Sequence, residues 1–283
     1  MKLGNIATQF VICLKPRDSF DRAITLMEEH GFHHLPVIQD GRVVGMISDR
    51  DLLLAVGWQL EAQRRLSGSR RDFAGPRNVS EVMSKPVVCL SPNDDLHTAA
   101  RAMIDHSISA IPLTTGDSLM GIVTKIGLLK ALCESDPPIV RVDRLAEPVA
   151  GHLRHHVHTV GPQDPLHNAS RIMHEKHVRH LPVTTEGLLI GMISDRDIRQ
   201  ACGREIIEDE QAEAHGRLYA SSARVLDVMS HRLETTTATT PLKEAANKML
   251  DAQIGALPVV SGERLIGIIT HTDVLRIISE SAA

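Results

Sequence analysis

Apolar and polar positions along the chain fall into a pattern that runs four times. Short β-branched runs at Val11 to Leu14, Val87 to Leu90 and Val157 to Val160 are followed by turn residues and then by apolar positions at i, i+3, i+4 and i+7. In the first unit these are Phe20, Ala23, Ile24 and Met27; in the second Leu96, Ala99, Ala100 and Met103; in the fourth Leu242, Ala245, Ala246 and Met249. The third unit is less regular. That spacing places one apolar stripe along a helix. Asp18 or Ser19, Asn93 or Asp94, Asp164-Pro165 and Thr240-Pro241 mark the expected helix starts, with each proline at the first helical position. Two strands joined by a tight turn follow, as at His34 to Ile38 and Arg42 to Ser48 around Asp40-Gly41, and a second helix closes the unit. The fold class predicted is α/β (α+β), built from four β-α-β-β-α units.

Two landmarks fix the repeat. The phrases HHLPV, SAIPL, RHLPV and GALPV centre on Pro36, Pro112, Pro182 and Pro258, and nine positions after each proline a glycine opens GMIS, GIVT, GMIS or GIIT. Pro36 and Pro182 stand 146 positions apart, as do Pro112 and Pro258, and GMISDRD at 45 to 51 recurs at 191 to 197. An ancestral pair was therefore copied whole. A unit of about 55 residues is too small to cover its own sheet, so the units should pair. The domains expected are 1–140, holding repeats at about 6–57 and 80–135, and 141–283, holding repeats at about 147–203 and 225–280. The acidic run Glu205 to Glu213, in the second of the connecting segments 58–79 and 204–224, reads as the solvated face of a connecting helix.

Composition narrows the chemistry. With 283 residues, 42% of them hydrophobic, the chain can bury a sizeable core, and its net charge of −4 and pI near 6.5 argue against nucleic acid or an anionic membrane as partner. No apolar run approaches the ~20 residues of a membrane span. Aromatic residues make up only 2%, so a flat ligand would have to lie between aliphatic side chains rather than on stacking platforms. The four cysteines form neither a CxxC pair nor a disulfide framework, and Leu3 to Leu14 lacks a small-residue cleavage site; a cytoplasmic location is expected. There is no GxSxG elbow, P-loop or GxGxxG after a strand, so an enzyme is not expected. Half of the sixteen histidines fall between His152 and His180, where His156 and His158 would share a strand face and His174 and His177 would neighbour one another on a helix. A His-rich metal-responsive module is thus an alternative, although no HExxH phrase or Cys/His spacing supports it.

The four hydrophobic-x-Pro and Gly-x-x-Ser/Thr phrases, with Asp three residues on in three of them, resemble the cystathionine-β-synthase (CBS) domain family over nearly the whole chain. In that family two repeats pack into a Bateman module whose clefts commonly take AMP, ADP, ATP or S-adenosylmethionine. The resemblance implies ribose contacts from Ser48 with Asp51, Ser194 with Asp197, and Thr270 with Asp273. In the second repeat Thr124 is followed by Gly127, which offers no acceptor, so one cleft of the first pair should be weakened or empty. It also implies phosphate contacts from the pre-proline residues His33, His34, Arg179 and His180, with Arg50 and Arg196 as further candidates. Ser-x-x-Asp at a strand-to-helix junction is equally a helix-capping arrangement, although capping boxes favour Glu or Gln where all three copies carry Asp. Both roles stay open. The function implied is a non-catalytic regulatory sensor with no required cofactor, acting on a regulated protein that the motifs do not name, alone or as a homodimer. An interaction scaffold with vestigial clefts is the other reading.

Overall fold

The computed structural model of the chain describes residues 1–52, 78–134, 142–198, 201 and 223–280, with only the backbone of 142 and 143. Nearly all of the connecting segments, the Glu205 to Glu213 run and Cys202 lie outside the described residues. Two compact units divide the chain, Met1–Ala131 with Ile278–Ala283, and Leu132–Ile277.

Each unit contains one four-stranded sheet. In the first, β1 (His34–Gln39), β2 (Arg42–Ser48), β3 (Ala110–Thr115) and β4 (Ser118–Thr124) run in the order β1-β2-β4-β3. In the second, β5 (His180–Thr185), β6 (Leu188–Ser194), β7 (Ala256–Ser261) and β8 (Arg264–Thr270) run in the order β5-β6-β8-β7. Every hairpin is antiparallel, and the two hairpins of a sheet meet through one residue pair, Arg42 with Ser118 and Leu188 with Arg264. The β1-β2 turn is the tight one expected, with Asp40 at φ 50° and Gly41 at φ 80°, the left-handed pair that Asp-Gly supplies at low cost.

The apolar stripes form helices: α1 (Phe20–His30), α2 (Leu96–Asp105), α5 (Leu166–Glu175) and α7 (Leu242–Asp251). Between α2 and α5 stand α3 (Lys125–Glu134) and the short α4 (Val142–Ala146); α6 (Val225–Val228) precedes α7, and α8 (His271–Glu280) follows β8. Residues 49–52 and 195–198 likewise enter helical turns directly after β2 and β6. Ser19 caps α1, its hydroxyl accepting from the Arg22 amide. In α2 the cap is Asp95, one residue later than expected, because Asp94 closes the preceding turn by accepting from the Ser91 amide. Pro165 and Pro241 also depart from expectation: they are N-caps in extended backbone, not first helical residues. Their carbonyls accept the opening helical bonds from Asn168 and Ala245, which leaves Leu166 and Leu242 as the buried first-turn residues.

The β-branched runs ahead of the helices do not become strands. Leu14, Leu90, Val160 and Thr236 each make a single parallel bridge, to Val37, Leu113, Val183 and Val259. The recurring proline accounts for this. Leu14 donates to the Pro36 carbonyl and accepts from the Ile38 amide, and the next rung back would need an N–H from Pro36, which has none. The same donation reaches Pro112, Pro182 and Pro258 in the other repeats.

Pairing of repeats explains the recurring glycine. Gly45 and Gly191 lie in register with Val37 and Val183, and a Cβ on either would stand 2.1 or 2.5 Å from the sulfur of Met83 or Met229 in the following repeat. At Gly267 the obstacle is Leu153 Cδ1 at 2.3 Å, and at Gly121 the Thr8 carbonyl at 3.0 Å. Each repeat's entry segment thus seats on its partner's sheet. The cores follow suit: Val79 and Met83 complete the cluster of Leu14, Phe20, Met27, Leu35 and Ile47, while Val225 and Met229 complete that of Val160, Leu166, Met173, Leu181 and Ile193. Among the described residues no helix is long and apolar enough to cross a membrane.

Candidate ligand-binding site

At the end of each repeat's second strand the chain turns into a helix, and the amide of the first helical residue reaches back to the residue ahead of the hairpin. Asp49 donates to the His33 carbonyl, Lys125 to Ser109, Asp195 to Arg179 and His271 to Gly255, at 2.9 to 3.2 Å. Together with the pairing of His34 with Ser48 and His180 with Ser194, this brings the pre-proline residues beside the Ser-x-x-Asp phrase in both odd-numbered repeats. His33 Nδ1 lies 3.5 Å from Asp49 Oδ2. Arg50, Arg179 and Arg196 are exposed around the same junctions.

The three acids are all turned into their own helix ends. Asp51 Oδ2 accepts from the Ser48 amide at 2.8 Å and its hydroxyl at 2.6 Å, and the Asp51 amide donates back to Ser48 Oγ at 3.3 Å. Asp197 repeats this with Ser194 at 2.7, 2.6 and 3.2 Å. Asp273 Oδ2 accepts from the Thr270 amide at 3.0 Å and hydroxyl at 2.6 Å. The capping geometry is therefore present in every intact copy. In the second repeat Thr124 Oγ1 still caps, accepting from the Gly127 amide at 3.1 Å, but no carboxylate follows.

What separates the copies is the other carboxylate oxygen. Asp51 and Asp197 are partly buried, and among the described residues no donor reaches Oδ1 of either. Asp273 is only 3% exposed, and its Oδ1 accepts from Arg154 Nε at 3.2 Å, with Arg276 Nη1 at 3.5 Å. Arg154 escapes a reading built on the Ser-x-x-Asp phrase because it lies in a different repeat. A signal did exist: the matching entry-segment positions are the small hydroxyl residues Thr8, Ser84 and Ser230, against which a long cation stands out.

Electrostatics modify one expectation. Desolvation, reinforced by Arg179 and only partly offset by Asp197 and Asp195, pushes the His180 imidazole down to about 4, so it is neutral at pH 7 rather than the cation its pre-proline place suggests. The ring also packs tightly against Gly255, where a Cβ would lie 2.9 Å from His180 Cε1. Burial raises the Cys13 and Cys89 thiols and takes Cys133 up to about 11, so all three stay protonated. Among the described residues no three His, Cys, Asp or Glu side chains gather as a metal site. Residues 156 to 159 form no strand, which removes the face His156 and His158 were expected to share, and His177 lies beyond the end of α5 at φ 52°. A cavity of about 190 Å³ bounded by His155, Val157, Leu265 and Ile266 lies at the hairpin end of β8, away from Thr270 and Asp273.

Comparison with known proteins agrees with this architecture. The protein MJ1225 of Methanocaldococcus jannaschii is 26% identical over 272 residues, covering 94% of each chain. Its crystal structure, of a protein proposed as an archaeal homologue of g-AMPK, superimposes with a TM-score of 0.79 at 24% identity over 98% of this chain and 99% of that one. A conserved protein from Pyrococcus horikoshii gives a TM-score of 0.66 at 20% identity over 98% and 100% of the two chains. The family described as CBS domain matches residues 3–57, 79–134, 149–204 and 225–280. With four such matches spanning most of its length, the chain belongs to the CBS-domain family.

Proposed function

We propose that the chain is a non-catalytic regulatory protein that takes an adenosyl ligand at Ser48/Asp51 and at Ser194/Asp197, with residues 1–140 and 141–283 each acting as one pair of repeats. The observation that carries this reading is the division of labour within the two carboxylates. Oδ2 is fixed to its own helix end, which holds the group in one orientation, while Oδ1 meets no described donor. A ribose diol brings hydroxyl donors of the kind a pre-oriented anionic oxygen accepts best. The cap and the ligand contact are then two uses of one side chain.

Phosphate groups fall to the basic residues around the same junctions. Arg179 and Arg196 in the third repeat, and Arg50 with His33 and His34 in the first, lie where negative charge would be met at a helix start. His180, neutral without ligand, would either donate one hydrogen bond or take up a proton as phosphate enters. The low aromatic content leaves the base to aliphatic walls. Regulation follows if the ligand favours one arrangement of a repeat pair over another, since a bound molecule shifts an equilibrium only by its differential affinity. The relation to MJ1225, proposed as a homologue of g-AMPK, points in the same direction.

Calorimetric titration with AMP, ATP and S-adenosylmethionine tests the reading. At least one should release heat and raise the melting temperature, and Asp51→Asn with Asp197→Asn should remove both effects. A scaffold with vestigial clefts would keep its helix caps and give neither response with any of the three.

A further inference from the structure

Thr270 and Asp273 repeat the motif of the two proposed sites, yet the surroundings of Asp273 differ in a way that bears on how many ligands the chain holds. Its Oδ2 is committed to Thr270 and its Oδ1 to Arg154, with Arg276 close by, and the carboxylate is all but sealed from solvent. Arg154 comes from the entry segment of the third repeat, and although its side chain is half exposed its backbone is fixed in place. Its amide donates to the Ile268 carbonyl at 3.0 Å and its carbonyl accepts from the Ile268 amide at 3.3 Å, while the neighbouring Leu153 fills the space over Gly267. The guanidinium therefore reaches Asp273 from a fixed anchor on the strand that ends at Thr270.

We infer that Arg154 is the residue that decides which clefts load: its side chain occupies the acceptor that a ribose would need at Asp273. This inference rests on the reading of Asp51 and Asp197 as ribose acceptors. A diol entering beside Asp273 would have to break a charge-assisted bond and leave a guanidinium without its carboxylate, whereas at Asp197 it meets an oxygen with no described donor. The first half of the chain reaches the same result by another route. Thr8, the counterpart of Arg154, pairs with Ile122 through the same two backbone bonds, both 3.0 Å, but the acid itself is replaced by Gly127. Each half thus keeps one loadable cleft, at its odd-numbered repeat, and the chain binds two nucleotides rather than three.

Equilibrium dialysis of the full chain against saturating AMP measures the count. The expected values are two AMP per chain for wild type and three for Arg154→Ser, the residue at the matching positions 84 and 230. The gain should vanish in Arg154→Ser with Asp273→Asn. Should Arg154→Ser not yield folded protein, Arg154→Gln removes the charge while keeping bulk, and the same gain is expected. An unchanged count in the Arg154 variants, or a wild-type count that falls with Asp273→Asn alone, overturns the inference. Failure of the underlying reading is seen separately, as wild-type binding indifferent to Asp51→Asn and Asp197→Asn.

Discussion

The two halves of the chain match at a constant offset of 146 positions, and the differences that bear on the Ser/Thr-x-x-Asp acids lie around the second repeat of each. Asp197 in the third repeat has its full match in Asp51, cap for cap and within about 0.1 Å. Asp273 has no acid to match it, since Gly127 stands there. Arg154 corresponds to Thr8, Gly255 to Ser109 and Thr236 to Leu90. The two halves share a scaffold but treat this position differently: one has glycine where the acid would stand, and the other keeps the acid but pairs it with Arg154; on the proposed reading, each half thereby keeps its second cleft from loading. One fold thus carries sites that look alike in motif and differ in availability.

The largest expected effect breaks this comparison at the acids. Asp197→Asn should weaken AMP about 10- to 100-fold, the worth of one hydrogen bond to a charged group, while Asp273→Asn leaves affinity unchanged; titration calorimetry on both variants reads the contrast. Next come the glycines. Gly267→Ala pushes a methyl to 2.3 Å from Leu153 and 3.2 Å from the Arg154 carbonyl, and should cost about 2 kcal/mol in urea unfolding. Gly45→Ala meets the adaptable thioether of Met83 and should cost less.

A pH test sharpens the contrast between His180 and an ordinary histidine. Its folded value of about 4 lies below the unfolded value near 6.5, so between those limits the unfolded chain binds more protons and stability rises with pH. That contribution is complete above pH 6.5 and is lost as the pH falls towards 4. Allowing for the partial solvent contact of the ring, it amounts to about 2 kcal/mol, and His180→Gln should lose that much less than wild type over the same window. The smallest effect concerns Thr236, whose buried hydroxyl finds no partner among the described residues, at the place where the other repeats carry Leu14, Leu90 and Val160. Thr236→Val should stabilise the chain by about 1 kcal/mol in the same denaturation assay.

Much of this was legible in the residues. Helix stripes, hairpins, paired repeats and the missing acid at Gly127 follow from periodicity and spacing, because period and turn chemistry are local properties written where they act. What sequence reading mistook was the reach of proline. Pro165 and Pro241 cap rather than open their helices, and Pro36 with its three counterparts cuts the expected first strand to one bridge, since a missing N–H acts on a neighbouring segment as well as on its own. The pre-proline residues lie beside the acids, but the neutrality of His180 depends on burial and on Arg179, which no spacing reveals. Arg154 stayed hidden for the same reason: it acts on an acid 119 positions away, and only the folded pairing brings the two together.

The most direct test of the account is a crystal structure of the full chain grown with AMP. The account predicts ribose hydroxyls within hydrogen-bond distance of Oδ1 of Asp51 and of Asp197, with Arg154 still on Asp273 and no nucleotide there. AMP bound at Asp273, or held in either half without contact to Asp51 and Asp197, would contradict it.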